Sequence, residues 1–253
     1  TSAGAGAPPT FTTVSGRKNI IINGGMKVWQ RSTSVAAIGA AGYHTADRWY
    51  TTITAGGVWT QSKATGTAGF ASAIKMDCTT ADASLASGDR LMLSYNIEGQ
   101  DLQHLKKGTA GAESVTLQFW VKSPKTGTHI IEVYDHDNGR HICKAYTVSS
   151  ADTWEQKTLT FAGDTSGSDP FGDDANNSCT IQFYMAAGSN YTSGTLATSW
   201  ADSSNANRAV GQVNCADNTS NDFYLTGVQL ELGTAATSFE HRGYGEELTL
   251  CQR

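Results

Sequence analysis

What this sequence lacks removes several classes of protein. No apolar run approaches the roughly 20 residues that carry a helix across a bilayer, and the first residues do not follow the basic, apolar, small-residue succession of a secretory leader. Neither a membrane-spanning helix nor export encoded in this chain is therefore expected. Charged residues make up only 16% and sum to -5, and apart from such neighbours as Lys106 and Lys107 the basic ones are scattered. That leaves no electropositive groove for a phosphate backbone, so nucleic acid is not an expected partner. Close cysteine pairs are missing as well: Cys78, Cys143, Cys179, Cys215 and Cys251 lie far apart, which argues against a structural zinc site, and an odd number cannot all pair within one chain. The expectation is reduced, mostly buried thiols acting as small hydrophobes, with one or two disulfides as the alternative.

Catalytic signatures are also absent. No serine stands in a strained nucleophile elbow, no His-Glu-x-x-His run occurs, and no glycine-rich phosphate loop ends in Lys followed by Ser or Thr. Glu246 and Glu247 are adjacent, so their side chains diverge instead of flanking one glycosidic bond. The chain is expected not to be an enzyme. Distant carboxylates meeting in space, such as Asp47 with Glu98, are the remaining route to a polysaccharide depolymerase.

What is present points to β structure. Glycines number 27 against 4 prolines in 253 residues, and 39% of residues are hydrophobic, a composition suited to many short strands joined by tight polar turns. All-β domains of this length often stay single. Leu91, Leu93, Tyr95 and Ile97 alternate onto one side, as do Val115, Leu117, Phe119 and Val121, and Ile181, Phe183 and Met185. Residues 128–134 and 141–148 flank Asp137-Asn138-Gly139, a hairpin signal. Lys157-Thr158-Leu159-Thr160-Phe161 alternates again, and in the last strand the inward parity of Phe223 and Leu225 slips to Val228, Leu230 and Leu232, which a β-bulge at Gly227 explains. Ile20-Ile21-Ile22 before Asn23-Gly24-Gly25 reads as a strand and turn, and Phe70, Ala73 and Met76 as a partly buried strand. Short helical turns are expected over 101–106 and 244–250. The fold class expected is all-β, a jelly-roll β-sandwich of two antiparallel sheets with long polar loops and little helix. Residues 1–18 form a flexible tether; residues 19–253 form one sandwich domain with a polar insertion at 187–221, anchored by Leu196, Trp200 and residues 210–213, and a C-terminal docking tail at 239–253.

Two sets of segments resemble known proteins. Val115-Thr116-Leu117-Gln118-Phe119-Trp120-Val121-Lys122-Ser123, followed by Thr153-Trp154-Glu155-Gln156-Lys157-Thr158-Leu159, resembles the jelly-roll modules grouped with carbohydrate-binding domains. Asn23-Gly24-Gly25-Met26-Lys27-Val28-Trp29-Gln30-Arg31, Thr45-Ala46-Asp47-Arg48-Trp49, Tyr224-Leu225-Thr226-Gly227-Val228-Gln229-Leu230-Glu231, and Phe239-Glu240-His241-Arg242 with Glu246-Glu247-Leu248 resemble the receptor-binding or tail-fibre-like proteins of tailed bacteriophages. That resemblance implies a homotrimeric virion appendage, assembled in the host cytoplasm and acting outside the cell, whose surface meets a host-envelope glycan or polysaccharide. A purely structural trimeric decoration or joining domain of the virion, and a carbohydrate-binding appendage of a secreted enzyme, are the competing functions.

Candidate ligand residues follow from the outward parity of the strands. Gln118, Trp120, Gln182 and Tyr184 combine rings that stack on pyranose faces with amides that bridge hydroxyls, and they form one patch if both strands share a sheet. Trp59, Tyr191 and Trp200 lie in or beside polar turns, where such a ring either contributes to recognition or anchors a loop. Trp49 and Trp154 are assigned to the core. Asp164, Asp169, Asp173 and Asp174 offer oxygen ligands for a structural calcium, against the alternative of a solvated acidic loop; no other cofactor is expected. Asp135, His136, Asp137 and His141 flank the hairpin, where a lone transition metal is a minor alternative.

Overall fold

The computed structural model describes residues 18–166 and 169–252. The expected tether falls outside them except for Lys18. Strands are β1 (Ser34–Ile38), β2 (Trp49–Thr54), β3 (Val58–Thr65), β4 (Ser72–Thr80), β5 (Arg90–Glu98), β6 (Val115–Lys122), β7 (Gly127–Asp135), β8 (Arg140–Val148), β9 (Glu155–Phe161), β10 (Asn177–Ala187), β11 (Ala201–Asp202) and β12 (Asp222–Leu232). The first sheet has the order β1-β3-β4-β12-β6-β9 and the second β11-β8-β7-β10-β5-β2, all pairings antiparallel. Among the described residues, helix is confined to α1 (Ser189–Thr192), α2 (Tyr244–Cys251) and three short 3-10 turns, two of them within residues 99–105. The chain is a jelly-roll sandwich.

Alternation builds the interior. The inward residues of β5, β6 and β10 are all buried, and the two sheets meet through aromatic edges: Phe119 of the first sheet lies 5.2 Å from Phe183 and 5.1 Å from Tyr146 of the second, both T-shaped; within the second sheet, Trp49 lies 5.3 Å from its neighbour Tyr95. Burying each such side chain contributes about 1.5–3 kcal/mol. The bulge at Gly227 is present: β12 shifts register between Thr226 and Gln229, Gly227 adopts φ 61°, and Phe223, Leu225, Val228 and Leu230 all reach the core. The β7–β8 hairpin turns through Asp137-Asn138-Gly139 with Gly139 at φ 64°. All five cysteines are free thiols, and burial pushes Cys215 and Cys251 up to about 12.

Four readings need correction. Residues 20–22 form no strand; they are a buried strap whose polar groups are satisfied mainly by side chains. Asn19 Oδ1 accepts from the Ile21 and Leu230 amides at 3.0 Å each, and the Ile22 amide donates to the Tyr95 hydroxyl at 2.7 Å. Trp154 is only half-buried on the outer face of the first sheet, edge-on to Tyr224 at 6.0 Å. Leu232 is 40% exposed because the strand has run past the core. Phe70 precedes β4 and packs outside it, edge-on to Phe239 at 4.8 Å.

The segments that carry the phage resemblance knit this strap together. Asn23 Oδ1 accepts from the amides of Lys27 (2.8 Å) and Val28 (2.9 Å), Asp47 accepts from the Gln30 amide and pairs with Arg31, and Arg242 donates to the carbonyls of Asn19 and Ile21. Glu247 is buried and accepts from the Asn23 amide, whereas Glu246 is exposed. The C-terminal tail thus packs against the strap of its own chain.

Candidate functional site: a polar cleft on the outer face of the second sheet

Cross-strand register places one row of outward side chains across the second sheet. Tyr50 of β2 stands opposite Ser94 of β5, Ser94 opposite Gln182 of β10, Gln182 opposite Glu132 of β7, and Glu132 opposite Cys143 of β8. The next row runs Asn96, Thr180, Tyr134, His141. One sheet face therefore carries both rows, and the insertion at 187–221 divides it.

Over β7 and β8 the face is closed. β11 pairs with β8, the Cys143 amide donates to Ala197 O (2.7 Å), and the Ile130 amide donates to Gln212 Oε1 (2.8 Å). Tyr191 and Ala209 of the insertion join Met92, Ile130, Cys143 and Tyr184 in a second apolar cluster, with Leu196 packed against it. Beneath lies a buried polar network. Arg208 reaches Glu132 through Nε and Nη2 at 2.9–3.0 Å, Tyr184 donates its hydroxyl to Glu132 at 3.0 Å, and His141 Nδ1 lies 2.8 Å from the same carboxylate. Glu132, His141 and Cys143 hold donor atoms within 4.8 Å of one another, but the cation bound to this carboxylate is the Arg208 guanidinium.

The face is open where Tyr50 and Thr52 of β2, Ser94 and Asn96 of β5, and Thr180 and Gln182 of β10 lie, beyond the Met92 and Tyr184 positions that the insertion covers. A cleft of about 350 Å3 is lined by Tyr50 and Thr52, Ser94 and Asn96, Asn177, Thr180 and Gln182, and His136. Its walls are pre-ordered: His136 Nε2 lies 2.8 Å from Thr180 Oγ1, Asn96 Oδ1 accepts from Thr180 at 3.0 Å, and Asn96 Nδ2 donates to the Tyr43 hydroxyl at 3.0 Å. Asn96 and Asn177 also line an adjoining recess of about 170 Å3 that extends to Tyr43, Arg48 and Glu98, where Tyr43 meets Tyr50 edge-on at 5.0 Å.

The expected four-residue patch does not form. Gln118 and Trp120 lie on β6 in the first sheet, Gln182 and Tyr184 on β10 in the second, so the pairs face away from each other on opposite sides of the sandwich. Of the four, only Gln182 lines the cleft; Tyr184 is fully buried under the insertion. Trp59 is also fully buried, its indole nitrogen donating to Gly56 O at 2.9 Å; Tyr191 is buried beside Arg90; and Trp200 donates to Ala162 O at 2.7 Å. These three rings anchor loops.

The four aspartates do not converge either. Asp164 is buried between Arg140 (2.7 Å) and Lys107 (3.4 Å). Burial alone raises its pKa, yet the hydrogen bonds from Arg140 and Ser166 hold it below the ordinary carboxylate value. Asp169 contributes its backbone carbonyl to Lys107 at 2.7 Å, while Asp173 and Asp174 are exposed, Asp174 accepting from Asn176. A lysine and an arginine therefore occupy the electrostatic position suggested for calcium. Around the hairpin, Asp135 pairs with Lys107 at 2.8 Å and Asp137 accepts from the Gly172 amide, so the flanking groups are spent on the loop. Asp47 and Glu98 are separately paired, with Arg31 (2.8 Å) and Arg48 (3.5 Å).

Sequence reading singled out none of Tyr50, Thr52, Ser94, Asn96, Asn177 and Thr180 as ligand residues, and it considered His136 only for a metal beside the hairpin. A signal existed for Ser94 and Asn96, because they are the polar complement of the inward set Leu93, Tyr95 and Ile97.

No protein-family model and no curated protein matches the chain. Solved structures similar to it include a putative sugar binding protein from Bacteroides thetaiotaomicron (14% identity, TM-score 0.43, 85% of this chain and 100% of that one) and a structure described as CBM4 (12%, 0.39, 83% and 98%). Another is the enzymatically active domain of bacteriophage CBA120 tailspike protein 4, at 12% identity and TM-score 0.42; it covers 85% of this chain, which spans only 21% of that one. These likenesses assign no residue, and the functional reading has to come from the cleft.

Proposed function

We propose that this chain is a glycan-binding domain whose ligand lies across β2, β5 and β10. The observation that carries this is the open cleft of about 350 Å3, lined by hydroxyls, amides, an imidazole and the Tyr50 ring and by no carboxylate. That volume suits a small ligand, and dense neutral donors and acceptors beside an aromatic face suit a polyhydroxylated one. The absence of paired carboxylates from the cleft lining supports binding without hydrolysis.

Titration calorimetry with host-envelope polysaccharide is expected to show Kd rising at least about tenfold, roughly 1.4 kcal/mol, on Tyr50→Ala or Asn96→Ala, with thermal unfolding little changed. Unaltered affinity in both variants would place the ligand elsewhere. We extend the proposal to a virion surface or fibre domain that recognises a host polysaccharide as a homotrimer; the phage-like segments around Asn23, Asp47 and Arg242 support that reading. Light scattering of the intact chain is expected to give three times the mass of 26.8 kDa, and a stable monomer across a concentration series refutes the trimer.

A further inference from the structure

Gln182 is the cleft residue whose orientation is dictated from beneath the insertion. Its Oε1 accepts a hydrogen bond from Arg208 Nη2 at 3.1 Å. A guanidinium carries donors and no acceptor, so the oxygen of the amide, and not its nitrogen, has to face Arg208. Arg208 cannot turn to release it. The guanidinium is held by the buried Glu132 carboxylate through bonds of 2.9–3.0 Å and lies 4.9 Å from the centre of the Tyr134 ring, while Tyr184 and His141 hold Glu132 in turn. An amide on a free surface presents either end to a ligand, but this one presents only N–H donors: among the described residues Gln182 Nε2 meets no protein acceptor. Asn96, the nearest comparable amide on β5, already spends an N–H on Tyr43 and its oxygen on Thr180.

Resting on the glycan reading of the cleft, we infer that Gln182 is a specificity-determining donor that selects sugars bearing an acyl substituent, whose carbonyl oxygen accepts from Nε2. A carbonyl fits better than a carboxylate because the cleft lining contains no lysine or arginine, and the charge of Arg208 is already matched by Glu132. A carbonyl also fits better than a hydroxyl, whose own proton finds no acceptor on this amide.

The test uses the intact chain on an array of matched oligosaccharides of equal linkage and length, N-acetylglucosamine against glucose and N-acetylgalactosamine against galactose. The acetamido member of at least one pair is expected to bind about tenfold more tightly or better. Gln182→Glu, which keeps the length and a partner for Arg208 but removes both donors, is expected to bring that ratio to about one while binding to the hydroxyl sugars persists. Equal affinity of the native chain for both members, or a preference that survives in the variant, overturns this inference alone. Binding to neither overturns it together with the glycan reading.

Discussion

Replacing Arg208 by alanine is expected to lower the free energy of unfolding by about 3–5 kcal/mol, read from guanidinium or urea titration at neutral pH. The reason is the carboxylate left behind. Glu132 is fully buried, and its ion partner is the guanidinium at 2.9 Å. Burial by itself lowers the pKa of Arg208, but the Glu132 charge outweighs it and the net shift is upward, so the guanidinium stays charged. Truncation removes one charge and strands the other among Tyr184, His141 and Cys143. It also frees the insertion from the β7 side of the sheet, where Tyr191 and Ala209 seal the second apolar cluster. Replacing both partners, as in Glu132→Leu with Arg208→Leu, is expected to recover most of the loss, because a buried ion pair is often no more stabilising than apolar side chains of similar volume. A single Arg208→Ala variant within about 1 kcal/mol of the native chain would show that Glu132 finds another partner.

Stability is also expected to fall as pH drops from about 6.5 to about 4, by an amount on the order of 3 kcal/mol attributable to His129. This imidazole is fully buried on β7, stacked on Tyr146 at 5.4 Å, with Nε2 3.1 Å from Lys125 O and Nδ1 without a protein partner among the described residues. Burial, the largest influence, pushes its pKa down from 6.5 to about 4, against the opposing bond to the Lys125 carbonyl. The unfolded chain therefore takes up a proton below about 6.5 that the folded chain refuses until about 4. Stability from this group is complete above the upper value and drains away through the window as pH falls. Urea midpoints measured from pH 7 to pH 4 on the native chain and on His129→Phe, which keeps the stack on Tyr146, should diverge in slope. Parallel profiles would assign the acid sensitivity to other groups.

Much of the fold was legible from residue order because burial in a strand has period two. Leu91 to Ile97, Val115 to Val121 and Ile181 to Met185 name their inward faces without reference to any other segment, and the parity slip at Gly227 locates its own bulge. The strap at 20–22 misled because three isoleucines report burial and β preference, while the amide of Asn19 and the hydroxyl of Tyr95 satisfy its backbone from a distance. Trp154 misled because an aromatic beside an alternating strand looks the same whether it enters the core or lies on the outer face.

By itself, then, the sequence determined an all-β sandwich, the inward side of its main strands and the hairpin at residues 137–139. Tertiary structure alone decided that β6 and β10 belong to opposite sheets, which half of the outer face stays open, and that Arg208 reaches back to Glu132 and turns Gln182 toward the cleft. The physical reason is range: alternation is a local property of one strand, whereas strand partners, coverage by an insertion and an ion pair spanning 76 residues depend on how the whole chain closes on itself.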